Sequence, residues 1–427
     1  MNMLPKWLKF LFSLLMLLTL FRFGIAQNKI ISLQEAIDAS IDHNPIKAQY
    51  AIYDKNTEAV LESIRKQNYP LITWNTQVSV QSENINLDFP IPNIDPISLP
   101  LYKAQSTLET NYLLYDGGIS KALVKNEKIK NNISKQSTTV QLFQLKNQIA
   151  ELYYSVLLLD KQDQIFNSTI QYFDSRKKML QSMFVNGTIL KSDVDKLEIE
   201  LIKLNQNKSV ISNKRSILIS ALSDLTGLDF INADFEDSKA IFTSENWDKR
   251  PELQFLSLRK DILDAGQEFV DLKNKPKVAL FAKAGVGYPN PFNFFDENIA
   301  PFAIGGVNLS WNIWDWKRNS IEKQKLKIEK ESIDNQKAVF DENMKIETNK
   351  IKLEIEGLKK NLEFDKDIIK NQQVILNTTE NQYKNGIVTI NTYLEEVNKK
   401  NIAELNSATH ETELKKAEWK YKILLND

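Results

Sequence analysis

The stretch Ile119–Val185 reads ISKALVKNEKIKNNISKQSTTVQLFQLKNQIAELYYSVLLLDKQDQIFNSTIQYFDSRKKMLQSMFV, and it contains neither proline nor glycine. Apolar residues recur at three-and-four spacing through Leu142, Leu145, Ile149, Leu152, Val156 and Leu159, then Phe166, Ile170, Phe173, Leu180 and Phe184. That period predicts an amphipathic helix with a coiled-coil seam, interrupted at Asp163 and Lys177. A helix over 119–185 would run roughly 100 Å at 1.5 Å per residue, against about a dozen residues for an ordinary globular helix. A second stretch, 317–384, carries the same pattern from Ile351 through Ile355, Leu358, Leu362, Ile369 and Leu376 to Tyr383, with Asp365 as an interruption. Only 12 glycines and 12 prolines in 427 residues favour long helices over a turn-rich all-β chain.

Both long helices end at an Asn-Gly pair, Asn186-Gly187 and Asn385-Gly386, where the chain must reverse. Glycine, and asparagine less readily, takes the left-handed backbone that ends a helix. Heptad-like return helices follow over 188–225 and 388–425. Working outward, each long helix is preceded by a strand that stops at an aspartate, Asp116 or Asp315. The spacing from Asp116 to Asp315 is 199 positions, and so is that from Asn186 to Asn385. Two landmarks at one offset indicate an internal duplication of about 200 residues. The first repeat covers 27–225, with an N-terminal helix 33–69 and strands 71–84 and 104–115. The second covers 251–427, with a helix 251–274 and strands 277–287 and 302–314. Between them, 226–250 falls at mid-height of the helical body, because the return helix breaks near Leu225-Thr226-Gly227 and a further helix resumes at Pro251.

The strands alternate with period two. Ile72, Trp74, Val78 and Val80 share one face and Thr73, Asn75, Gln77 and Ser79 the other; Leu108, Tyr112 and Leu114 oppose Gln105, Thr107, Glu109 and Asn111. Val278, Leu280, Ala282 and Val286 share a face, as do Val307, Leu309, Trp311 and Ile313. Lengths near ten residues suit tilted membrane strands, and Tyr112, Tyr115, Trp311, Trp314 and Trp316 gather at the ends as an interfacial girdle would. A soluble sandwich would alternate as well. Four strands cannot close a barrel, and open edges are not tolerated in lipid, so several copies must share one; three copies give twelve strands.

The first 26 residues read as a signal peptide: Lys6 and Lys9, an apolar run Leu11–Leu20, and small residues at Gly24-Ile25-Ala26. The run is shorter than the ~20 residues that span hydrocarbon. Without this segment 52 basic residues face 55 acidic ones, which supplies no field for nucleic acid. Cysteine is absent, which excludes disulfides, thiolate metal sites and a lipid-bearing cysteine. His43 and His410 are the only histidines, with no ligand pattern around either, and no hydrolase or nucleotide motif is present, so no enzyme, cofactor or metal is expected.

Short motifs add to this. Ser32-Leu33-Gln34-Glu35-Ala36 leading to His43-Asn44-Pro45, Leu114-Tyr115-Asp116-Gly117-Gly118, Ala221-Leu222-Ser223-Asp224-Leu225-Thr226-Gly227 and Arg250-Pro251-Glu252-Leu253 occur in the order in which the TolC family of outer-membrane efflux proteins carries similar runs. The resemblance covers about 30–425. It implies an α+β membrane protein: a homotrimer whose twelve-stranded outer-membrane β-barrel, four strands per chain, continues as a long α-helical coiled-coil tunnel in the periplasm. It also implies a periplasmic adaptor and an inner-membrane transporter as partners, and passive export of small molecules or proteins. Family members close the tunnel near the tips through polar links. Carried over from the tip glycines, the linking tyrosine and aspartate fall on Tyr383 and Asp193, and the linking arginine falls on Val388, so that link is missing or replaced; the family's narrow acidic ring of two aspartates per chain falls on Thr392 and Glu395, which leaves one carboxylate per chain. The plainer roles are a seam position for Tyr383 and a solvated helix face for Glu395. Asn186, Gly187, Asn385 and Gly386 would face the adaptor, or serve only as turns. A trimeric coiled-coil adhesin shares the signal and heptads but leaves the two strand pairs unexplained. The loops 85–103 and 288–301 could cap the barrel or bind surface partners.

Overall fold

In the computed structural model, residues 29–87, 97–231, 233–237, 240, 246–293 and 295–426 are described; the signal peptide expected over 1–26 lies outside them. In chain order the elements are β1 (Lys29–Ile31), α1 (Leu33–His43), a 3-10 turn (Pro45–Ala48), α2 (Gln49–Lys66), β2 (Leu71–Val80), β3 (Asn86–Leu87), β4 (Ile97–Ser98), β5 (Tyr102–Tyr115) and α3 (Ile119–Val185). They continue with α4 (Lys191–Thr226), β6 (Ala233–Phe235), α5 (Pro251–Leu272), β7 (Lys277–Tyr288), β8 (Ala300–Ser310), α6 (Arg318–Lys384) and α7 (Ile390–Leu425). The helices α3 and α6 have 67 residues each and α4 and α7 have 36 each. Helices α6 and α7 begin and end 199 positions after α3 and α4. Among the described residues no helix is long and apolar enough to cross a membrane.

Several boundaries differ from those read in the sequence, for local reasons. The helix expected over 33–69 is two helices: Pro45 disfavours helical geometry at the residue before it, and Asn44 is extended with ψ 124°. The return helices start later than 188 and 388. Leu190 and Thr389 are extended, and the Thr389 side chain accepts from the Thr392 amide as an N-cap. The strand expected to reach 84 ends at Val80, whose partner Tyr102 is the first residue of β5. The strand expected over 302–314 stops at Ser310, because Lys277, opposite it, is the first residue of β7 and nothing remains for 311–314 to pair with.

The chain divides into two units. One comprises residues up to Asn44, Gln144–Trp247 and from Ile346 onward. Its core runs between the four long-helix segments: Phe166, Phe173 and Leu180 of α3, Leu197, Leu201 and Leu204 of α4, Leu376 and Tyr383 of α6, and Tyr393 and Val397 of α7. These are seam positions, and each fully buried large side chain contributes about 1.5–3 kcal/mol relative to exposure. In the same unit β1 pairs in parallel with β6, Ile31 against Phe235. The buried Tyr153 hydroxyl donates between Ile31 O at 2.7 Å and Glu236 O at 3.0 Å.

The other unit comprises Pro45–Phe143 and Asp248–Lys345. It holds an antiparallel sheet in the order β2-β5-β7-β8. Helix α5 starts with Pro251 at its first turn, followed by Glu252, where proline costs no hydrogen bond and an acid complements the helix dipole. The Pro251 carbonyl accepts from Gln136 Nε2 at 2.9 Å, and the Arg250 guanidinium lies 4.6 Å from the Phe143 ring centroid.

Candidate functional site: a two-faced sheet and a polar cluster below the helical tips

The register assigns each sheet residue to a face. One face carries Ile72, Trp74, Val78 and Val80 of β2, Leu108 and Tyr112 of β5, Leu280 and Val286 of β7, and Val307 and Leu309 of β8. All are exposed, Trp74 by 74% and Val80 by 76%. A contiguous apolar face of this extent is not stable in water. Three of its polar atoms bond to one another: Trp74 Nε1 donates to Ser106 Oγ at 2.8 Å, and Thr76 Oγ1 lies 3.0 Å from the same oxygen. A bulge at Leu114 brings Tyr115 opposite Val278, adding a second tyrosine at that end. The other face carries Asn75, Gln77, Gln105, Thr107, Glu109, Lys283 and Asn308, and Glu109 and Lys283, in direct register, form an ion pair at 2.9 Å. The outer edges of β2 and β8 are unpaired within the sheet.

Each strand-to-helix junction is built on an aspartate. Asp116 accepts from the Gly118 and Ser120 amides at 2.8 and 2.5 Å, and Asp315 accepts from the Lys317 and Asn319 amides at 3.0 and 3.1 Å. The two residues after each aspartate have positive φ. They are Gly117 and Gly118 in the first half, but Trp316 at 53° and Lys317 at 64° in the second. Burial works to raise the Asp116 pKa, but the Ser120 and Gly118 hydrogen bonds outweigh it; the Asn319 amide, Asn274 and the Lys317 amide hold Asp315 low.

In the helical unit both Asn-Gly turns have one geometry. Gly187 and Gly386 have φ of 70° and 73°, with nothing within 4 Å of where a Cβ would sit. Thr188 and Ile387 amides reach back to Met183 and Gln382 carbonyls at 3.0 and 2.9 Å, closing each helix with a Schellman motif. Asn186 and Asn385 stand exposed beside them, with Val185 and Leu190 at one turn and Ile387 at the other as exposed apolar residues.

Below the turns lies a polar cluster absent from the sequence reading. Glu380 of α6, almost wholly covered, pairs with Arg176 of α3 at 2.6 Å and Lys384 at 2.8 Å, and accepts from the Tyr172 hydroxyl at 3.0 Å. Tyr393 of α7 donates to Tyr172 at 2.7 Å, and the Arg176 guanidinium sits 4.9 Å from the Tyr172 ring centroid. Burial pushes the Glu380 pKa up, but Lys384, Tyr172 and Arg176 together hold it below the ordinary 4.5. Glu380 occupies the seam between Leu376 and Tyr383, and a carboxylate there demands a cation on a facing helix. That was the available signal, though nothing local said which helix supplies it.

The residues singled out from the sequence do not form one cluster. Tyr383 is a buried seam residue stacked on Tyr393 at 5.6 Å between ring centroids. Burial and the nearby Asp193 charge push its pKa up to about 12, but its hydroxyl has no hydrogen-bond partner and Asp193 does not bond to it. Thr392 is exposed, its amide held by Thr389 Oγ1 at 3.4 Å and its own hydroxyl 3.3 Å from the same oxygen. Glu395 is exposed and pairs with Lys399 at 2.9 Å. The next residue, Glu396, turns inward, where Gln372 Nε2 donates to it at 2.6 Å.

No family model matches the chain, and no curated protein does. Among solved structures it is similar to CusC, with a TM-score of 0.68 at 11% identity over 95% of both chains, a protein described by its conformational changes on folding and transmembrane channel formation. It is also similar to the outer membrane protein VceC of Vibrio cholerae, with a TM-score of 0.60 at 14% identity over 92% of this chain and 94% of that one. A third is the Neisseria gonorrhoeae MtrE outer membrane channel, at 0.60 and 13% over 92% and 88%. The chain therefore has the TolC-type fold of outer-membrane channel proteins.

Proposed function

We propose that the chain is an outer-membrane duct: three copies close one twelve-stranded barrel, and their helices continue it into the periplasm as a tunnel. One observation carries this reading: a four-stranded sheet with an exposed apolar face, a polar face and two free edges. Such a sheet is stable only if lipid covers the apolar face and copies of itself pair the edges. The polar face then lines water, as in other barrels with a filled lumen. The matching extents of α3 and α6, and of α4 and α7, at an offset of 199 positions support descent from a duplicated unit.

The duct is passive, works with a periplasmic adaptor and an energised inner-membrane transporter, and exports small molecules or proteins without covalent chemistry. The exposed turns at Asn186-Gly187 and Asn385-Gly386 face the adaptor. Glu395 and Thr392 line the entrance, and Tyr383 and Asp193 belong to the layer that sets its width. The cluster of Arg176, Glu380, Tyr172 and Tyr393 supplies the polar link that Val388 cannot. The test is fractionation of expressing cells followed by mass measurement of the extracted protein. A detergent-dependent trimer from the outer-membrane fraction, forming pores in planar bilayers, is expected; a monodisperse monomer soluble without detergent would refute the proposal.

A further inference from the structure

The β7–β8 connection does not rise away from the sheet. Asn290 and Asp296 tie the loop to itself: the Asn290 amide donates to Asp296 O at 3.0 Å and Asn290 Nδ2 to Asp296 Oδ2 at 3.1 Å, while Asn290 Oδ1 accepts from the Phe292 amide at 3.1 Å. The loop so formed is folded back onto one face. Gly287 lies in the row of Gln105 and Ala300, on the polar side of the sheet. A Cβ placed on Gly287 would come within 2.5 Å of Pro291 Cγ, so Pro291 covers that glycine from the polar side. Phe302, in the row of Asn75, Thr107 and Gly285, points to the same side. It is 9% exposed and meets the Phe292 ring edge to face at 5.6 Å between centroids. Phe292 itself is 63% exposed, so its ring keeps an uncovered apolar flank on the polar side of the sheet.

We propose that this loop is a built-in cap that narrows the outer mouth of the pore, with Phe292 as its inward edge. The inference rests on the barrel reading above, since only closure turns the polar face into a lumen. A loop packed on the apolar side would lie in lipid; one packed on the polar side must lean into the water path. Repeated around a threefold axis, three exposed rings make an apolar constriction at the exit, which retards hydrated ions and bulky solutes. Gly287 is the concession that lets the loop lie flat, and the Asn290–Asp296 bonds keep it there.

The absence of cysteine makes the test clean. Full-length Gln77→Cys, on the polar face, is labelled on intact cells with a small charged maleimide and with a maleimide carrying a long polyethylene glycol. Adding Phe292→Ala, or separately Asp296→Ala, should raise the rate of labelling by the long reagent roughly tenfold and change that by the small one little, as removal of a steric constriction requires. Equal long-reagent rates with and without these changes overturn the cap. Val78→Cys, on the apolar face, serves as the separate check. If charged maleimide labels it as fast as Gln77→Cys, the barrel reading fails, whatever the loop does.

Discussion

Replacing Glu380 with glutamine should loosen the helical tips without unfolding the sheet. The substitution preserves shape and removes one charge. Arg176 then keeps a guanidinium with about a quarter of its side chain exposed and no carboxylate partner. The Arg176–Glu380 contact is a close, largely desolvated ion pair, and couplings of such charge pairs start at about 1.5 kcal/mol, with about 3 kcal/mol as a working upper value here. The Lys384 pair adds no more than about 0.5 kcal/mol because its ammonium is largely solvated. Tyr172 retains Tyr393, so little is lost there. The sum is roughly 2–3 kcal/mol, or a roughly 30- to 150-fold increase in the opening equilibrium of the tips. Hydrogen exchange resolved by mass spectrometry reads this directly. Amides in 172–185 and 380–397 should lose protection by that factor, while strands β5 and β7 keep theirs. The pH dependence follows in sign. A carboxylate whose folded pKa lies below the ordinary 4.5 contributes stability that is fully present above that value and fades as the pH falls through the lowered one. Native and Glu380→Gln tips should therefore converge in acid and differ at neutral pH. Unchanged protection in the variant, or a loss spread evenly into the sheet, would refute the argument that Glu380 holds the hairpins together.

Three further outcomes are expected. Gly187→Ile with Gly386→Ile meets no steric obstacle, so its cost is backbone strain of about 1–2 kcal/mol per site; export should fail while the trimer persists by gel filtration, and loss of the trimer would make the glycines chiefly structural. Glu395→Gln should reduce cation preference in single-channel recording more than Glu396→Gln does, because both pair with Lys399 but Glu395 is exposed while Glu396 turns inward onto Gln372; equal effects would remove Glu395 from the pore. Lys317→Gly should stabilise the second strand-to-helix junction by about 0.5–1 kcal/mol in thermal denaturation, since lysine at φ 64° is strained and glycine is not, and a destabilised variant would show that the Lys317 side chain matters more than its backbone.

The sequence determined what local physics can encode. Seam periodicity without breakers sets a helix from Ile119 to Val185, and Asn-Gly pairs end both long helices because a reversal there needs positive φ. Period-two alternation sorts Trp74 from Asn75. Pro45 carries a local signal of the same kind, since it disfavours helical geometry at Asn44 and so splits the expected helix 33–69 in two. Only the tertiary structure decided which distant groups meet. The pairing of Lys29–Ile31 with Ala233–Phe235, and the strand order that inserts β5 beside β7, join segments far apart in the chain with no shared local signal. The junction glycines illustrate the same limit. A side chain at Gly117 would come within 2.8 Å of Lys275 Cβ, whereas the matching backbone in the second half accommodates Trp316. Arg176, Tyr172, Glu380 and Tyr393 lie on three helices, and their meeting depends on the rotation of each about its own axis. Packing of the whole four-helix seam sets that rotation, and no single period can. Tyr383 turned inward and Glu395 outward for the same reason, and the β7–β8 loop chose the polar face through contacts of Pro291 and Phe292 that exist only once the sheet has formed.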